Sequence, residues 1–321
     1  MYEKISKEAI KAKKKYKRVG FVISAIALNP LKMSKIKVLI QRFYLYFVIG
    51  LFSKKAKESK FEKVNMNGIR SWKITTPNSD PNKILLYFHG GAYIAGSSRA
   101  YYPMVSYIAD VSKFTVYMPD YRLAPEYLYP TQLEDGVNAY KSLIEEFGYS
   151  HKQIAIGGDS AGGNLAFVTI FKLREEGIEL PKAIFSFSPW ADPAATGDTY
   201  TIEICEKDLL LGPVFKKTWT KYKADAYLTY YVPDEVMNEN DPYICPIKGS
   251  FKHFPPTLIH VGRDELLLSD SRSLKFGLDR DNVELEYKEW DNLWHVFQVE
   301  SLIPESQESF KLVSKFLNTN I

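Results

Sequence analysis

The sequence predicts an α/β fold, a mostly parallel twisted sheet flanked by helices, and three observations lead to this prediction. Short apolar runs alternate with longer segments of helical periodicity from about residue 84 onward. The 321 residues are 45% hydrophobic and 25% charged, which suits one large globular domain or two small ones. The strand-like run Ile154–Ile156 leads through glycines directly into a helical pattern. Such alternation buries both faces of a sheet.

Residues 1–60 form a basic arm on a more acidic body. They contain 16 Lys or Arg residues and 3 Asp or Glu residues, a net charge of +13, whereas the whole chain carries +4. The remainder is therefore acidic, which argues against a uniformly basic nucleic-acid-binding protein. We predict no nucleic-acid partner.

The arm contains two apolar stretches, Val19–Leu31 and Phe43–Phe52. Both are shorter than the roughly 18–20 apolar residues that span a bilayer. We expect amphipathic helices that form part of a cap over a pocket and make weak peripheral contact with an anionic membrane. A cleaved signal peptide ending near Ala27 is the less favoured alternative, because the cleavage site would lie inside the first apolar stretch.

The periodicity of the arm also predicts how its second stretch is oriented. If residues 36–52 form a cap helix, the side facing the pocket carries its apolar side chains, namely Val38, Leu39, Phe43, Tyr46, Phe47 and Ile49. Water or lipid headgroups would then face its basic neighbours, namely Lys35, Lys37, Arg42, Lys54 and Lys55. The expected membrane contact is therefore electrostatic and sensitive to salt.

The body, residues 61–321, is predicted to be a catalytic domain in which strands and helices alternate. Phe61–Pro77 predicts a hairpin with its turn at Asn67-Gly68. Further strands are predicted at Ile84–Phe88, Thr115–Met118, Ile154–Ile156, Ala183–Phe187, Thr257–Val261 and Val283–Tyr287. Helical periodicity occupies Gln132–Phe147, Ser160–Glu175 and Ser269–Leu278. An insertion after residue 190, about 198–246, has no strand pattern and is expected to complete the cap above the carboxyl edge of the sheet.

The segment Gly158-Asp159-Ser160-Ala161-Gly162 matches the pattern G-x-S-x-G between a strand and a helix. Such a turn places the serine at its apex with the hydroxyl exposed, and the glycines let strand and helix approach closely. The first N–H groups of the helix would face any anion that forms at the serine. By itself the pattern is equally compatible with a glycine-rich turn that carries no chemistry.

A nucleophilic serine requires a base and an acid that orients the base. Among the five histidines, His295 follows the last predicted strand, in a loop able to reach the carboxyl edge of the sheet. For the acid we predict Asp264, which follows strand Thr257–Val261, and we considered Asp270 and Asp291 as alternatives. The resulting order of serine, acid and histidine is that of the α/β-hydrolase scaffold.

An oxyanion hole is predicted at the end of strand Ile84–Phe88. There the pair Gly90-Gly91 offers N–H groups that no side chain blocks. Together with the N–H of Ala161 they would supply three donors. On its own, the run beginning at His89 would equally describe a tight turn.

The sequence contains no Walker A motif, no H-E-x-x-H motif and no G-x-G-x-x-G motif after a strand. Cys205 and Cys245 form no C-x-x-C pair and are expected to be buried free thiols, so no oxidising compartment is required. We therefore predict no cofactor and no metal ion. The predicted location is cytoplasmic, with peripheral contact at the membrane.

Several motifs together resemble the hormone-sensitive-lipase family of α/β-hydrolase esterases over about residues 60–318. They are His89-Gly-Gly-Ala-Tyr93, Asp120-Tyr-Arg-Leu-Ala-Pro-Glu126, Gly158-Asp-Ser-Ala-Gly-Gly163, Ser188-Pro-Trp190, Gly262-Arg-Asp-Glu-Leu-Leu267 and Trp294-His-Val-Phe297. The resemblance implies an α/β-hydrolase fold, a helical cap built partly from N-terminal residues, and the triad Ser160, Asp264 and His295. One departure is Ala92, where many members have a third glycine.

These observations predict a serine hydrolase of short-to-medium acyl esters that works through an acyl-enzyme. The substrate pocket is expected to be lined by Tyr93, Trp190, Val296 and Phe297. An amidase or deacetylase on the same triad remains an alternative, because the machinery is shared. A non-catalytic receptor of the same fold is the second alternative, and the presence of His295 argues against it. No oligomeric state is predicted.

Overall fold

A computed structural model of the chain describes residues 5–26, 34, 36–40, 42–43, 46, 53–213, 215 and 231–321. Of the side chains named for the predicted cap helix and its basic neighbours, Lys35, Phe47 and Ile49 lie outside the described residues. Residues 214 and 216–230 of the insertion also lie outside them.

Eight strands in the described part of the chain form one sheet. They are β1 (Lys60–Met66), β2 (Ile69–Thr75), β3 (Asp80–Phe88), β4 (Phe114–Pro119), β5 (Ile154–Asp159), β6 (Ala183–Phe187), β7 (Thr257–Gly262) and β8 (Leu285–Trp290). Their order across the sheet is β1-β2-β4-β3-β5-β6-β7-β8. β1 pairs antiparallel with β2, and β2 with β4, whereas the other pairings in this order are parallel. The predicted mostly parallel sheet is confirmed.

The helices that surround this sheet are α1 (Lys7–Ile26), α2 (Ser98–Ser112), α3 (Thr131–Glu145), α4 (Ala161–Glu175), α5 (Ile202–Lys207), α6 (Leu268–Arg280) and α7 (Pro304–Asn320). Short 3₁₀ turns lie at His151–Gln153, Asp234–Val236, Pro246–Lys248 and Phe297–Val299. The predicted hairpin turns at Asn67 and Gly68, whose φ angles are 48° and 82°. Both are positive because a two-residue turn between strands requires it.

Helices cover the sheet on both faces, which explains why its central strands are apolar throughout. All residues of β4, β5, β6 and β7 are buried. Side chains of α3, α4 and α6 pack with one set of strand residues, and those of α2 and α7 pack with the alternate set. Because the parallel strands all end at the same edge, the loops that follow them meet there.

Helix α1 joins the arm to the loop that follows β8. Ala9 and Tyr16 are buried in an apolar cluster with Trp294, and the Tyr16 and Trp294 ring centroids are 5.5 Å apart. The start of the helix is tied to α7, because the N–H and hydroxyl of Ser6 donate to the Glu305 carboxylate at 2.6 and 2.9 Å. In the described ranges, no helix has both the length and the apolar character needed to cross a membrane.

The predicted orientation of the arm's second stretch is wrong for three apolar side chains and for Arg42. Val38 is buried as expected, but Leu39, Phe43 and Tyr46 are 60%, 72% and 46% exposed. The described residues 36–40, 42–43 and 46 are helical, so these side chains lie on the solvent side of a helical segment.

Arg42 accounts for the difference, because it faces the body and not the solvent. Its guanidinium donates to the carbonyl oxygens of Ile94 and Ala124 at 2.7 and 2.9 Å and pairs with Glu126 at 2.6 Å. A planar guanidinium with this many acceptors is well satisfied in a half-buried position. The helical segment is therefore turned so that its arginine contacts the body while Leu39, Phe43 and Tyr46 are largely exposed.

Candidate active site

The chain turns directly from β5 into α4 at Ser160, whose φ and ψ are 53° and −120°. A φ in this left-handed region is rare for a residue with a side chain. A Cβ on Gly158 would lie 2.3 Å from the Gly162 oxygen, and a Cβ on Gly162 would lie 2.1 Å from the Phe88 oxygen. The glycines of the motif are therefore required where strands and helix pack most closely.

Backbone hydrogen bonds hold this turn in place. The Ser160 N–H donates to the Phe187 oxygen at 2.9 Å, and the Ser160 oxygen accepts from the N–H groups of Asn164 and Trp190 at 3.1 and 3.0 Å. The Ser160 side chain is partly exposed, and its hydroxyl makes no hydrogen bond to the described residues. The backbone is thus fixed while the hydroxyl can rotate toward a base or a substrate.

His295 lies in the loop after β8 and is 4% exposed. Its Nδ1 lies 3.1 Å from Glu265 Oε1. Because an ionised carboxylate is an acceptor only, Nδ1 carries the proton, and Nε2 of the neutral ring is left to act as a base. The Ser160 N–H bonds to the Phe187 oxygen, and the next residue, Ser188, accepts from the Val296 N–H, so the histidine loop lies beside the elbow.

The prediction of Asp264 as the acid is wrong, because the carboxylate in contact with His295 is that of Glu265. Asp264 Oδ2 accepts from Lys13 Nζ at 2.8 Å. The Asp264 N–H donates to the Leu293 oxygen at 2.9 Å, so the bend that follows β7 runs beside the histidine loop. In this bend Asp264 faces the arm, and Glu265 faces the histidine.

Both oxygens of the Glu265 carboxylate have partners. Oε2 accepts from Ser188 Oγ at 2.8 Å and from the Gly262 N–H at 2.7 Å, while Oε1 faces His295. Ser188 Oγ accepts in turn from the Val296 N–H at 3.1 Å, which links the loop after β6 to the histidine loop. A fully buried carboxylate held by three donors keeps a fixed orientation.

Three carboxyl groups set the protonation of His295. Burial lowers the pKa of His295, but the hydrogen bond and charge of Glu265, with the charges of Asp208 and Asp159, outweigh burial and keep this pKa above its usual 6.5. Burial raises the pKa of Asp208 to about 6 and the pKa of Asp159 to about 7. Glu265 is the carboxyl group that lies within hydrogen-bond distance of the ring.

The predicted set of oxyanion donors also changes. The Gly90 N–H donates to Asp159 Oδ1 at 3.1 Å, so Gly90 is not available as a donor to substrate. Gly91 and Ala92 follow with φ angles of 121° and 53°. The N–H groups of Gly91, Ala92 and Ala161 make no hydrogen bond within the described residues. These three groups are the donors that the turn leaves available.

Polar contacts brace the loop after β3. Asp159 holds the Gly90 N–H, the Tyr121 hydroxyl donates to the His89 oxygen at 2.6 Å, and Arg122 pairs with the buried Asp135 at 2.6 Å. These contacts give the run Asp120–Glu126 and Asp159 structural roles in holding this loop.

Three of the predicted pocket residues lie close to the nucleophile or the base. Tyr93 and Trp190 are neighbours, with ring centroids 6.2 Å apart, and Trp190 is the residue whose N–H contacts the elbow. Val296 directly follows the histidine. Phe297 packs instead against Trp290, with ring centroids 5.4 Å apart, in the apolar cluster that contains α1. That any of the four contacts substrate stays a prediction.

The other candidates have contacts elsewhere. Asp270 is buried and its Oδ2 accepts from two backbone N–H groups at 2.8 Å each, while Asp291 pairs with Arg263 at 2.5 Å. Cys205 and Cys245 are buried free thiols, as predicted. Over the described ranges, no group of three or more His, Cys, Asp or Glu residues is placed to hold a metal ion.

Sequence reasoning misses three residues of this site, Glu265, Ala92 and Asp208. A second carboxylate directly after Asp264 was the available signal for Glu265. Ala92 could have been found because an oxyanion donor is a backbone N–H, which does not depend on a third glycine. Nothing near Asp208 in the sequence indicates that it reaches the acid loop.

A family model described as an alpha/beta hydrolase fold matches residues 85–299. The chain is 30% identical to an acetyl-hydrolase of Streptomyces hygroscopicus over 76% of this chain and 78% of that protein. It is 26% identical to an esterase of Acinetobacter venetianus over 79% of this chain and 80% of that protein.

Solved structures agree with these relatives. An esterase from the bacterial hormone-sensitive lipase family superposes with a TM-score of 0.82 at 31% identity, covering 96% of this chain and 98% of that chain. The structure of EstE5 soaked with p-nitrophenyl butyrate also has a TM-score of 0.82 at 31% identity, covering 98% and 99%.

Proposed function

The chain belongs to the hormone-sensitive-lipase family of α/β-hydrolases, and from this premise we propose that it hydrolyses carboxylic esters through Ser160, His295 and Glu265. The proposal depends above all on one observation, the 3.1 Å contact of His295 Nδ1 with Glu265 Oε1 beside a serine held in an elbow. A triad is recognised by the geometry and roles of its groups, not by their positions in the sequence.

In the first half of the reaction, His295 Nε2 takes the proton of the Ser160 hydroxyl as the oxygen attacks the ester carbonyl. Glu265 keeps the ring in the required tautomer and stabilises the imidazolium without taking the proton. The imidazolium then protonates the departing alcohol, which leaves an acyl-enzyme. In the second half, water activated by the same ring releases the acid and restores Ser160.

The developing oxyanion is stabilised by the N–H groups of Gly91, Ala92 and Ala161. These N–H groups are already oriented, because Asp159 holds the loop after β3 and the elbow holds the start of α4. Little reorganisation therefore accompanies the reaction. The Ala161 N–H also lies at the first turn of α4, where the helix dipole favours negative charge. In this assignment, Gly90 braces the hole and does not line it.

We assign short acyl esters as the substrate class. Acetyl-hydrolase and esterase are the activities named for the relatives, and EstE5 was soaked with a butyrate ester. An amidase uses the same groups, but no contact among the described residues of this site favours an amine leaving group over an alcohol.

The test is labelling and turnover with the full chain. A fluorophosphonate should label wild type and leave Ser160→Ala unlabelled, and wild type should hydrolyse p-nitrophenyl acetate and butyrate faster than the decanoate. Unlabelled wild type, or labelled protein that hydrolyses anilides faster than the matching esters, would contradict the ester-hydrolase assignment.

We also propose that the arm contacts anionic lipid surfaces through its apolar stripe. The exposed fractions are 69%, 60%, 44%, 72% and 46% for Ile36, Leu39, Ile40, Phe43 and Tyr46. Their spacing places them on one side of a helix. The net charge of +13 on residues 1–60 complements phosphatidylserine headgroups. This orientation adds insertion of apolar side chains to the electrostatic contact predicted from the sequence.

Flotation with vesicles tests this contact. Wild type should float with phosphatidylcholine vesicles that contain phosphatidylserine, less at high salt, and Leu39→Ser should weaken flotation at both salt concentrations. Leu128→Ser is the matched control, because Leu128 is exposed but lies outside the arm. Equal loss in both variants, or a concentration-dependent dimer that Leu39→Ser abolishes, would assign the stripe to another role.

A further inference from the structure

The two residues on either side of Glu265 are each held by a part of the chain outside the sheet. Asp264 is paired with Lys13 of α1, with Nζ and Oδ2 2.8 Å apart. The Leu266 N–H donates to Asp208 Oδ2 at 3.0 Å, and Asp208 directly follows α5 in the insertion. The segment that carries Glu265 is therefore held on both sides by α1 and by the insertion, which are predicted to form the cap.

Other contacts hold α1 in the position from which Lys13 pairs with Asp264. The helix is fastened at its start to Glu305, and Tyr16, one turn after Lys13, packs on the Trp294 ring beside His295. The side chains of Lys13 and Asp264 are only 20% and 19% exposed, so water screens the pair less than it screens a surface pair. One helix thus contacts the neighbour of the acid and the neighbour of the base.

The contact from the insertion is buried. Asp208 is 2% exposed, and its Oδ1 accepts from the N–H groups of Leu210 and Leu211 at 3.0 Å each. These bonds fix the orientation of the Asp208 carboxylate, whose other oxygen accepts from the Leu266 N–H. Leu209 packs in the same apolar cluster as Trp294, so this turn of the insertion and α1 support one another.

Glu265 needs such support because its loop is not held by sheet pairing alone. A displacement of about 1 Å in a catalytic group lowers rates by as much as 100-fold, so contacts that fix its backbone act on turnover even without touching substrate. We propose that Lys13 and Asp208 are positioning residues that hold Glu265 against His295, so that the acid is correctly placed only while the cap is docked. This inference rests on the proposed ester hydrolysis.

Lys13→Met is the central variant, and Lys14→Met is its matched control, with the same charge change at the next, exposed position of α1. With p-nitrophenyl acetate we expect Lys13→Met to lower kcat about 10- to 100-fold with KM nearly unchanged. Lys14→Met should match wild type, and Lys13→Arg should restore most of kcat. A role as a lid alone would raise KM or change acyl-length preference and leave kcat intact.

A second readout does not depend on turnover. The ring of His295 is titrated by NMR in ¹⁵N-histidine-labelled protein, with its signal assigned from His295→Gln. The carboxyl groups acting on it are Glu265, Asp208 and Asp159. Loss of the positive charge of Lys13 would by itself raise the pKa of a nearby histidine, whereas a loosened Glu265 contact lowers it. A fall in the His295 pKa in Lys13→Met therefore reports displacement of Glu265.

Two further variants approach the same contacts from the other sides. Asp264→Asn removes the ion pair without altering α1, and in the double variant with Lys13→Met the losses should not add, because both break one pair. Asp208→Asn should lower kcat similarly while the thermal midpoint confirms a folded protein.

Wild-type kcat and an unchanged His295 titration in folded Lys13→Met would overturn the proposal. Absence of esterase activity in wild type would instead contradict the proposed function, and the titration would still decide the positioning role.

Discussion

The nucleophile elbow and the acid loop lie at the same edge of the sheet, yet they are held in place by different means. Ser160 is held through the backbone, because the glycines beside it let β5, α4 and the end of β3 approach closely and its own N–H and carbonyl groups are hydrogen-bonded. Glu265 is held by residues distant in sequence, Ser188 directly, and Lys13 and Asp208 through its two neighbours. Close packing and hydrogen bonding of the backbone hold the first arrangement, and contacts of side chains hold the second.

This difference predicts different responses to substitution. A change at the elbow should act through the chemistry of the serine or through steric clash. A change around the acid loop should act through orientation of the histidine, and so it should be graded and spread over several residues.

The largest effect is expected for Ser160→Ala, which should lower kcat/KM by about four to six orders of magnitude. Its thermal midpoint should not fall, because the hydroxyl makes no hydrogen bond to the described residues. Steady-state kinetics and thermal unfolding on the same preparation check both statements. Retention of more than a hundredth of the activity would exclude Ser160 as the nucleophile.

The next largest effect compares the two adjacent carboxylates. Glu265→Gln should lower kcat by about three to four orders of magnitude, because the histidine loses its orienting charge. Asp264→Asn should lower it far less, about 10- to 100-fold, because it acts only through position. Measurement of kcat for both variants tests the assignment of Glu265 as the acid. A larger loss in Asp264→Asn than in Glu265→Gln would contradict it.

The elbow can also be broken sterically. Gly162→Ala would bring a Cβ to 2.1 Å from the Phe88 oxygen, and backbone cannot move aside as a flexible side chain can. We expect the free energy of unfolding to fall by about 1–3 kcal/mol or more, with loss of activity. Gly177→Ala is the control, because its Cβ would meet no atom within 4 Å although its φ is 68°. Equal losses in denaturant unfolding would mean that crowding at Gly162 costs no more than the strained φ at Gly177.

The smallest expected effect is in the pH profile. Activity requires neutral His295, whose pKa lies above the usual 6.5, so kcat/KM should fall as pH decreases through a value above 6.5. Glu265→Gln removes the largest contribution that raises this pKa, so the acid limb should move to lower pH. An acid limb that stays in place would show that Glu265 does not govern the ring.

The sequence alone determined the parts of this protein that depend on neighbours in the chain. The mostly parallel sheet follows from alternating apolar and helical periods, and the elbow at Ser160 follows from a five-residue motif between a strand and a helix. His295 could be identified because its loop follows the last strand of the sheet.

The tertiary structure decided what depends on which way a side chain points. Asp264 and Glu265 differ by one position, and the end of β7 turns the first toward Lys13 and the second toward His295. In the same way, the Asp159 carboxylate accepts the hydrogen bond of the Gly90 N–H, and Arg42 donates to carbonyl oxygens of the body. Periodicity gives the two sides of a segment, but contacts between segments distant in sequence select the side that faces the site.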